Sequence, residues 1–239
     1  MEVNIAESKK QTARLFSEYF SNLIAKNTIS HIALSGGSTP KEVFKELAEH
    51  FKNKVDWSKV QFYWGDERCV PPDDEESNYK MANEYLFSKI EFPLGNIQRI
   101  KGENEPAEEA TRYSDLLEKN LPKFNMQPQF DLVILGLGDD GHTASIFPNQ
   151  INLWNSKAYC EVAEHPETGQ KRVTLTGNII NNAKEVAFLV TGANKAKKVL
   201  EIIEKEGNYN TYPASLVEPR SGGLNWFLDA DAAKFIELS

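Results

Sequence analysis

Apolar residues recur at Leu15, Phe16, Tyr19, Phe20, Leu23 and Ile24, the spacing that lays one stripe along a helix, so an amphipathic helix is predicted near the start of the chain. A short run from His31 to Ser35 then reads as a buried strand. It breaks off at Gly36-Gly37-Ser38-Thr39-Pro40, where turn chemistry takes over. A helix is expected to start within this turn, with Thr39 as N-cap, Pro40 at the first helical position and Glu42 closing a capping box. Further strands are predicted at Val60–Trp64, 130–137, 173–175 and 186–191, and helices over 77–89, 106–121 and 194–206. Strands alternating with helices predict an α/β fold: three α/β/α layers around a mostly parallel, Rossmann-like sheet. Neither a repeat nor a linker interrupts the pattern, so residues 1–239 are expected to form a single domain.

Composition narrows the partners. With 27 basic against 35 acidic residues the formal charge is −8, which excludes a broad positive surface for nucleic acid or an anionic membrane. Any anionic ligand must be captured by local groups. The cysteines, Cys69 and Cys160, lie far apart and form neither a CxxC pair nor a disulfide framework, which suits a reducing compartment. The first residues lack the basic-apolar-small order of a signal peptide, so a cytoplasmic location is expected. No apolar run approaches the roughly 20 residues of a spanning helix. The acidic run Asp73-Asp-Glu-Glu76 reads as a solvated loop.

Chemistry concentrates where strands give way to helices, because free N–H groups and the positive end of the helix dipole point there. Gly36 and Gly37 let the backbone approach an anion, and Ser38 and Thr39 add hydroxyl donors, so this turn is a candidate phosphate cradle; it lacks the lysine and spacing of a Walker A loop. A second turn, Gly136-Leu-Gly-Asp-Asp-Gly141, formally satisfies GxGxxG. The carboxylates of Asp139 and Asp140 would repel a pyrophosphate there, and a dinucleotide site is rejected. Asp140-Gly-His142 instead places a carboxylate two residues from an imidazole, making His142 the leading candidate for a general base, with Asp140 fixing its tautomer. Arg68, after the strand that ends at Trp64, suits either an oxyanion or a phosphate, or else a surface pair with Asp66 or Glu67. Arg172 and Lys195 also fall near strand ends and supply local positive charge. No GxSxG elbow and no metal-ligand spacing is present, so neither a serine nucleophile, a metal nor a cofactor is expected.

Leu34-Ser-Gly-Gly-Ser-Thr-Pro40, Trp64-Gly-Asp-Glu-Arg68, Ser77-Asn-Tyr79, Gly136-Leu-Gly-Asp-Asp-Gly-His-Thr-Ala-Ser145, Arg172-Val-Thr-Leu-Thr176, Pro213-Ala-Ser215 and Trp226-Phe-Leu-Asp229 together resemble the 6-phosphogluconolactonase family over nearly the whole chain. The resemblance implies a glucosamine-6-phosphate deaminase-like fold. Deaminases of that fold typically carry Asp-Glu-Tyr where this chain has Asp66-Glu-Arg68, and Ile-Ala-Phe-Asn-Glu-Pro where it has Thr143-Ala-Ser-Ile-Phe147. The lactonase branch is therefore the one implied. Its substrate is a small sugar-phosphate lactone, 6-phospho-D-glucono-1,5-lactone, hydrolysed in the oxidative pentose phosphate pathway by a monomer or small homo-oligomer. The expected roles are His142 as base, Asp140 as its orienter, Arg68 at the oxyanion, and Gly36, Gly37, Ser38, Thr39, Arg172 and Lys195 at the phosphate. The expected site is a small positive pocket on a negative protein, with one carboxylate, Asp140, inside it.

Overall fold

The computed structural model describes residues 1–220 and 222–236. In chain order the strands are β1 (Glu2–Ala6), β2 (Ser30–Leu34), β3 (Val60–Trp64), β4 (Asp66–Arg68), β5 (Lys123–Phe124), β6 (Gln127–Pro128), β7 (Leu132–Leu135), β8 (Cys160–Glu164), β9 (Lys171–Leu175), β10 (Glu185–Val190) and β11 (Gly223–Asp229). The α-helices are α1 (Lys9–Lys26), α2 (Ser38–Glu46), α3 (Asn78–Tyr85), α4 (Pro106–Asn120), α5 (Gly177–Ile180) and α6 (Ala196–Ile203).

Among the described residues six strands pair, all in parallel, in the order β1-β11-β10-β7-β2-β3. β7 is buried at every position and β10 at all but its first, so both faces of the sheet are covered, as the α/β reading requires. Ser8 caps α1 by accepting the Gln11 N–H, and the stripe of Phe16, Phe20 and Ile24 turns inward. There Phe16 meets Phe227 of β11 edge to face, with ring centroids 5.2 Å apart. The apolar pattern does not single out β1 and β11, which pair with each other at one side of the sheet.

From β2 the chain steps to β3 on one side, whereas β7, β10 and β11 step away on the other. The direction reverses between β2 and β7, and such a reversal opens a crevice outside the carboxyl ends of the strands. The turns that follow β2 and β7 flank that crevice.

Strand 173–175 belongs elsewhere than in the parallel sheet: β9 lies antiparallel between β4 and β8 in a separate small sheet. Gly65 alone separates β3 from β4. Its N–H donates to the Leu34 carbonyl and its carbonyl accepts the Leu175 N–H, each at 2.8 Å, so it belongs to the bonding of both sheets. From α4, the buried Tyr113 hydroxyl accepts the Trp64 N–H at 2.9 Å and donates to the Gln98 carbonyl at 3.2 Å, fixing the end of β3.

The turn after β2 differs from its expected form. Gly37, at φ 104°, is the N-cap of α2, and no side chain caps the helix. Thr39 Oγ1 instead lies 2.8 Å from Thr191 Oγ1, and Glu42 pairs with Lys45 at 2.8 Å, so the capping box does not form. The helix expected at 194–206 is a 3₁₀ turn at Ala193–Lys195 followed by α6. Among the described residues no helix is long and apolar enough to cross a membrane.

Candidate active site

A cleft of about 320 Å³ opens at the carboxyl ends of β2 and β7. The turn residues Gly36, Gly37, Ser38 and Thr39 form one wall, and Arg68, His142, Arg172 and Lys195 reach it from four other segments. Asp140 joins through His142. The fold thus brings together every site residue named from the sequence.

The turn after β7 builds a carboxylate–imidazole pair. Asp140 Oδ1 accepts both the backbone N–H of His142, at 3.0 Å, and a hydrogen bond from its ring Nδ1, at 2.7 Å. An ionised carboxylate only accepts, so the ring proton belongs on Nδ1 and the lone pair on Nε2. Among the described residues Nε2 has no hydrogen-bond partner. Burial alone would push the Asp140 carboxyl up; the bonds from His142 outweigh it and bring the group down to about 2. Gly138 makes room for the pair, since a Cβ there would stand 2.1 Å from His142 Nδ1 and 2.7 Å from Asp140 Oδ1. The imidazole rests against Phe147, with centroids 4.7 Å apart.

Arg68 and Arg172 are register partners on β4 and β9. Among the described residues neither forms an ion pair, and the pairing of Arg68 with Asp66 or Glu67 that the sequence allows is not made. Arg68 Nη1 donates to the Glu76 carbonyl at 2.7 Å, while its Nε is buried without a partner. Arg172 donates from Nε to Gln170 Oε1 at 3.3 Å and from Nη1 to Ser145 Oγ at 3.5 Å. Nη2 of each guanidinium makes no hydrogen bond among the described residues. Burial, reinforced by the facing Arg68, holds the Arg172 pKa below the usual guanidinium value. Two adjacent guanidinium groups without a direct ion pair are suited to receive an anion.

Lys195 departs from expectation. Its Nζ lies 2.5 Å from Asp139 Oδ1, which also accepts from Asn194 Nδ2 at 2.9 Å, so its charge is already shared. The carboxylates that line the cleft are those of Asp66 and Asp139, whereas Asp140, expected inside it, stands behind His142 and does not line it. Asp66 is 6% exposed, and its Oδ2 accepts from Ser145 Oγ at 2.6 Å.

Asn78 is a cleft residue that reasoning from chemistry alone missed. Its amide fills the place of a Gly36 side chain, where a Cβ would stand 1.8 Å from Asn78 Oδ1, and its Nδ2 donates to the Asp66 carbonyl at 2.9 Å. The signal was present in the Ser77-Asn-Tyr79 block. Glu67 is the device that seats this segment: its buried carboxylate accepts the N–H groups of Arg68, Asn78 and Tyr79, each at 2.8 Å. Burial pushes Glu67 up against the pull of those bonds. Among the described residues no three His, Cys, Asp or Glu side chains converge as a metal-ligand set.

The family described as glucosamine-6-phosphate isomerases/6-phosphogluconolactonase matches residues 4–226. The chain belongs to that family. Within it, the chain is 43% identical over 195 residues to 6-phosphogluconolactonase of Treponema pallidum, covering 82% of this chain and 81% of that one. Identity to the 6-phosphogluconolactonase of Haemophilus influenzae is 42% over 207 residues, covering 86% and 87% of the two chains. The solved 6-phosphogluconolactonase of Trypanosoma brucei superposes with a TM-score of 0.88 at 29% identity, over 99% of this chain and 98% of that one. Lactonase members of the family are thus among the relatives that this sequence and fold resemble along most of their length.

Proposed function

We propose that this enzyme hydrolyses 6-phospho-D-glucono-1,5-lactone to 6-phospho-D-gluconate, the second step of the oxidative pentose phosphate pathway. The observation that carries this reading is the content of one cleft: an imidazole oriented by a carboxylate, with Nε2 unpartnered among the described residues, beside two arginines neither of which forms an ion pair among those residues. The relatives' names supply the substrate.

In the proposed reaction His142 Nε2 takes a proton from water as the water oxygen attacks the lactone carbonyl carbon. The carbonyl oxygen gains the electron pair and is stabilised by Arg68. The tetrahedral species collapses, the bond to the ring oxygen breaks, and His142 returns its proton to that oxygen; the new carboxylic acid then ionises to solvent. Arg172 and the N–H and hydroxyl groups of Gly36 to Thr39 hold the distant phosphate, turning its binding energy into placement of the reacting carbon. Lys195, tied to Asp139, contributes the smaller share. The step uses side chains, backbone groups and water alone.

The test is acceleration of lactone opening. Freshly generated lactone is incubated with purified protein and with buffer alone, and 6-phosphogluconate is followed with its dehydrogenase. A rate equal to the spontaneous one would overturn the reading.

A further inference from the structure

Among the described residues, every hydrogen-bond acceptor on the two cleft arginines is electrically neutral. Arg68 is held by a backbone carbonyl, and Arg172 by an amide oxygen and a hydroxyl. Carboxylates are close at hand, but each sits one group further out. Asp66 reaches Arg172 only through Ser145, whose Oγ contacts both. Glu76 reaches it only through Gln170, which gives its Nε2–H to Glu76 Oε2 at 2.9 Å and turns its Oε1 to Arg172 Nε. The amide therefore does two things at once. It fixes the guanidinium plane from the Nε side, and it holds an acidic residue of the 73–76 run at one remove from the cation. A carboxylate in the same place would aim Arg172 equally well and spend its charge.

We propose that Gln170 is a positioning residue: it aims Arg172 into the cleft and keeps the Glu76 carboxylate from pairing with it directly, so that the guanidinium stays open to the substrate's phosphate. Its side chain lies on the hairpin between β8 and β9, half-buried, and does not line the cleft. The role rests on the reading of Arg172 as a phosphate ligand.

Three variants separate the possibilities. Gln170→Glu is expected to raise KM for the lactone and the inhibition constant of 6-phosphogluconate by about tenfold, the effect of roughly one charge-assisted hydrogen bond, with kcat changed far less. That variant also sets two carboxylates face to face, so the deciding measurement is Gln170→Glu combined with Glu76→Gln. The pair restores the side-chain bond between hairpin and loop but leaves the carboxylate on Arg172. If insulation is the function, KM and the inhibition constant stay raised; if Gln170 merely ties the loop down, both return to wild-type values and the proposal falls. Arg172→Ala provides the separate check. Unchanged affinity for 6-phosphogluconate in that variant would remove Arg172 from the phosphate site, whereas weakened affinity there together with a wild-type double variant would reject the role of Gln170 alone.

Discussion

Arg68 and Arg172 stand opposite each other in the β4–β9 ladder, and among the described residues no carboxylate forms an ion pair with either. Two like charges held side by side destabilise the free protein, and a bound anion relieves them. At roughly a hundred times its Kd, 6-phosphogluconate is expected to stabilise the fold by about 2.7 kcal/mol. For a chain of this size that raises Tm by roughly 5–10 °C, measurable by calorimetry. Arg172→Ala should lose most of this shift at the same ligand concentration; a full shift in that variant would remove Arg172 from the anion site.

His142→Asn keeps a polar side chain against Phe147 and removes the base. Turnover is expected to drop by about 10² to 10⁴, with little change in affinity for 6-phosphogluconate. Steady-state rates corrected for spontaneous opening decide it, and wild-type turnover would exclude His142 from proton transfer.

Asp140→Asn retains an acceptor for Nδ1–H but removes the charge, so kcat is expected to fall by about tenfold to a hundredfold, less than on loss of the imidazole. The stability effect has a definite pH window. Asp140 is lowered from 3.8 to about 2 in the folded chain, so its contribution is complete above pH 4 and disappears as the pH falls toward 2. The side chain is 41% exposed, and solvent screening keeps that contribution to about 1 kcal/mol or less. Urea unfolding of wild type and Asp140→Asn should therefore differ at pH 6 and converge only as the pH approaches 2; a gap that persisted there undiminished would show that the charge is not its source.

Gly138→Ala tests whether the His142–Asp140 pair is held by the backbone beneath it. The added methyl would overlap Nδ1 and Oδ1, so the pair must swing away. The expected signature is a loss of kcat of at least about tenfold, since misplacing a base by an ångström is costly, with affinity for 6-phosphogluconate retained. Parallel loss of affinity would mean that the turn had collapsed altogether.

Ser145→Ala removes the hydroxyl shared by Asp66 and Arg172 and leaves Asp66 Oδ2 without a donor in a buried place. A cost of about 1–3 kcal/mol is expected, read as a lowered Tm. An unchanged Tm would show that Asp66 finds another partner.

Much of this was legible in the sequence, for local reasons. Phe16, Phe20 and Ile24 announce α1 by spacing, and the glycine turn after β2 announces itself by losing its apolar pattern. Asp140 and His142 are two residues apart, so their pairing needs no knowledge of the fold. The partnership of Arg68 and Arg172 is different. It depends on β4 and β9 meeting as antiparallel neighbours, a long-range pairing that periodicity does not record. The misread cap at Thr39 has the same origin: the hydroxyl that suits a capping box is engaged by Thr191, far along the chain. Likewise Lys195 looks like a free cation until the 3₁₀ turn before α6 and the turn after β7 bring it to Asp139.

Gly65 ties the large sheet and the arginine-bearing small sheet into one mechanical unit. With one residue between β3 and β4, and that residue bonded to β2 on one side and β9 on the other, the small sheet has no hinge about which to swing relative to the large one. The guanidinium charges are therefore in place before any anion arrives, and an anion bound between them would cost little ordering entropy.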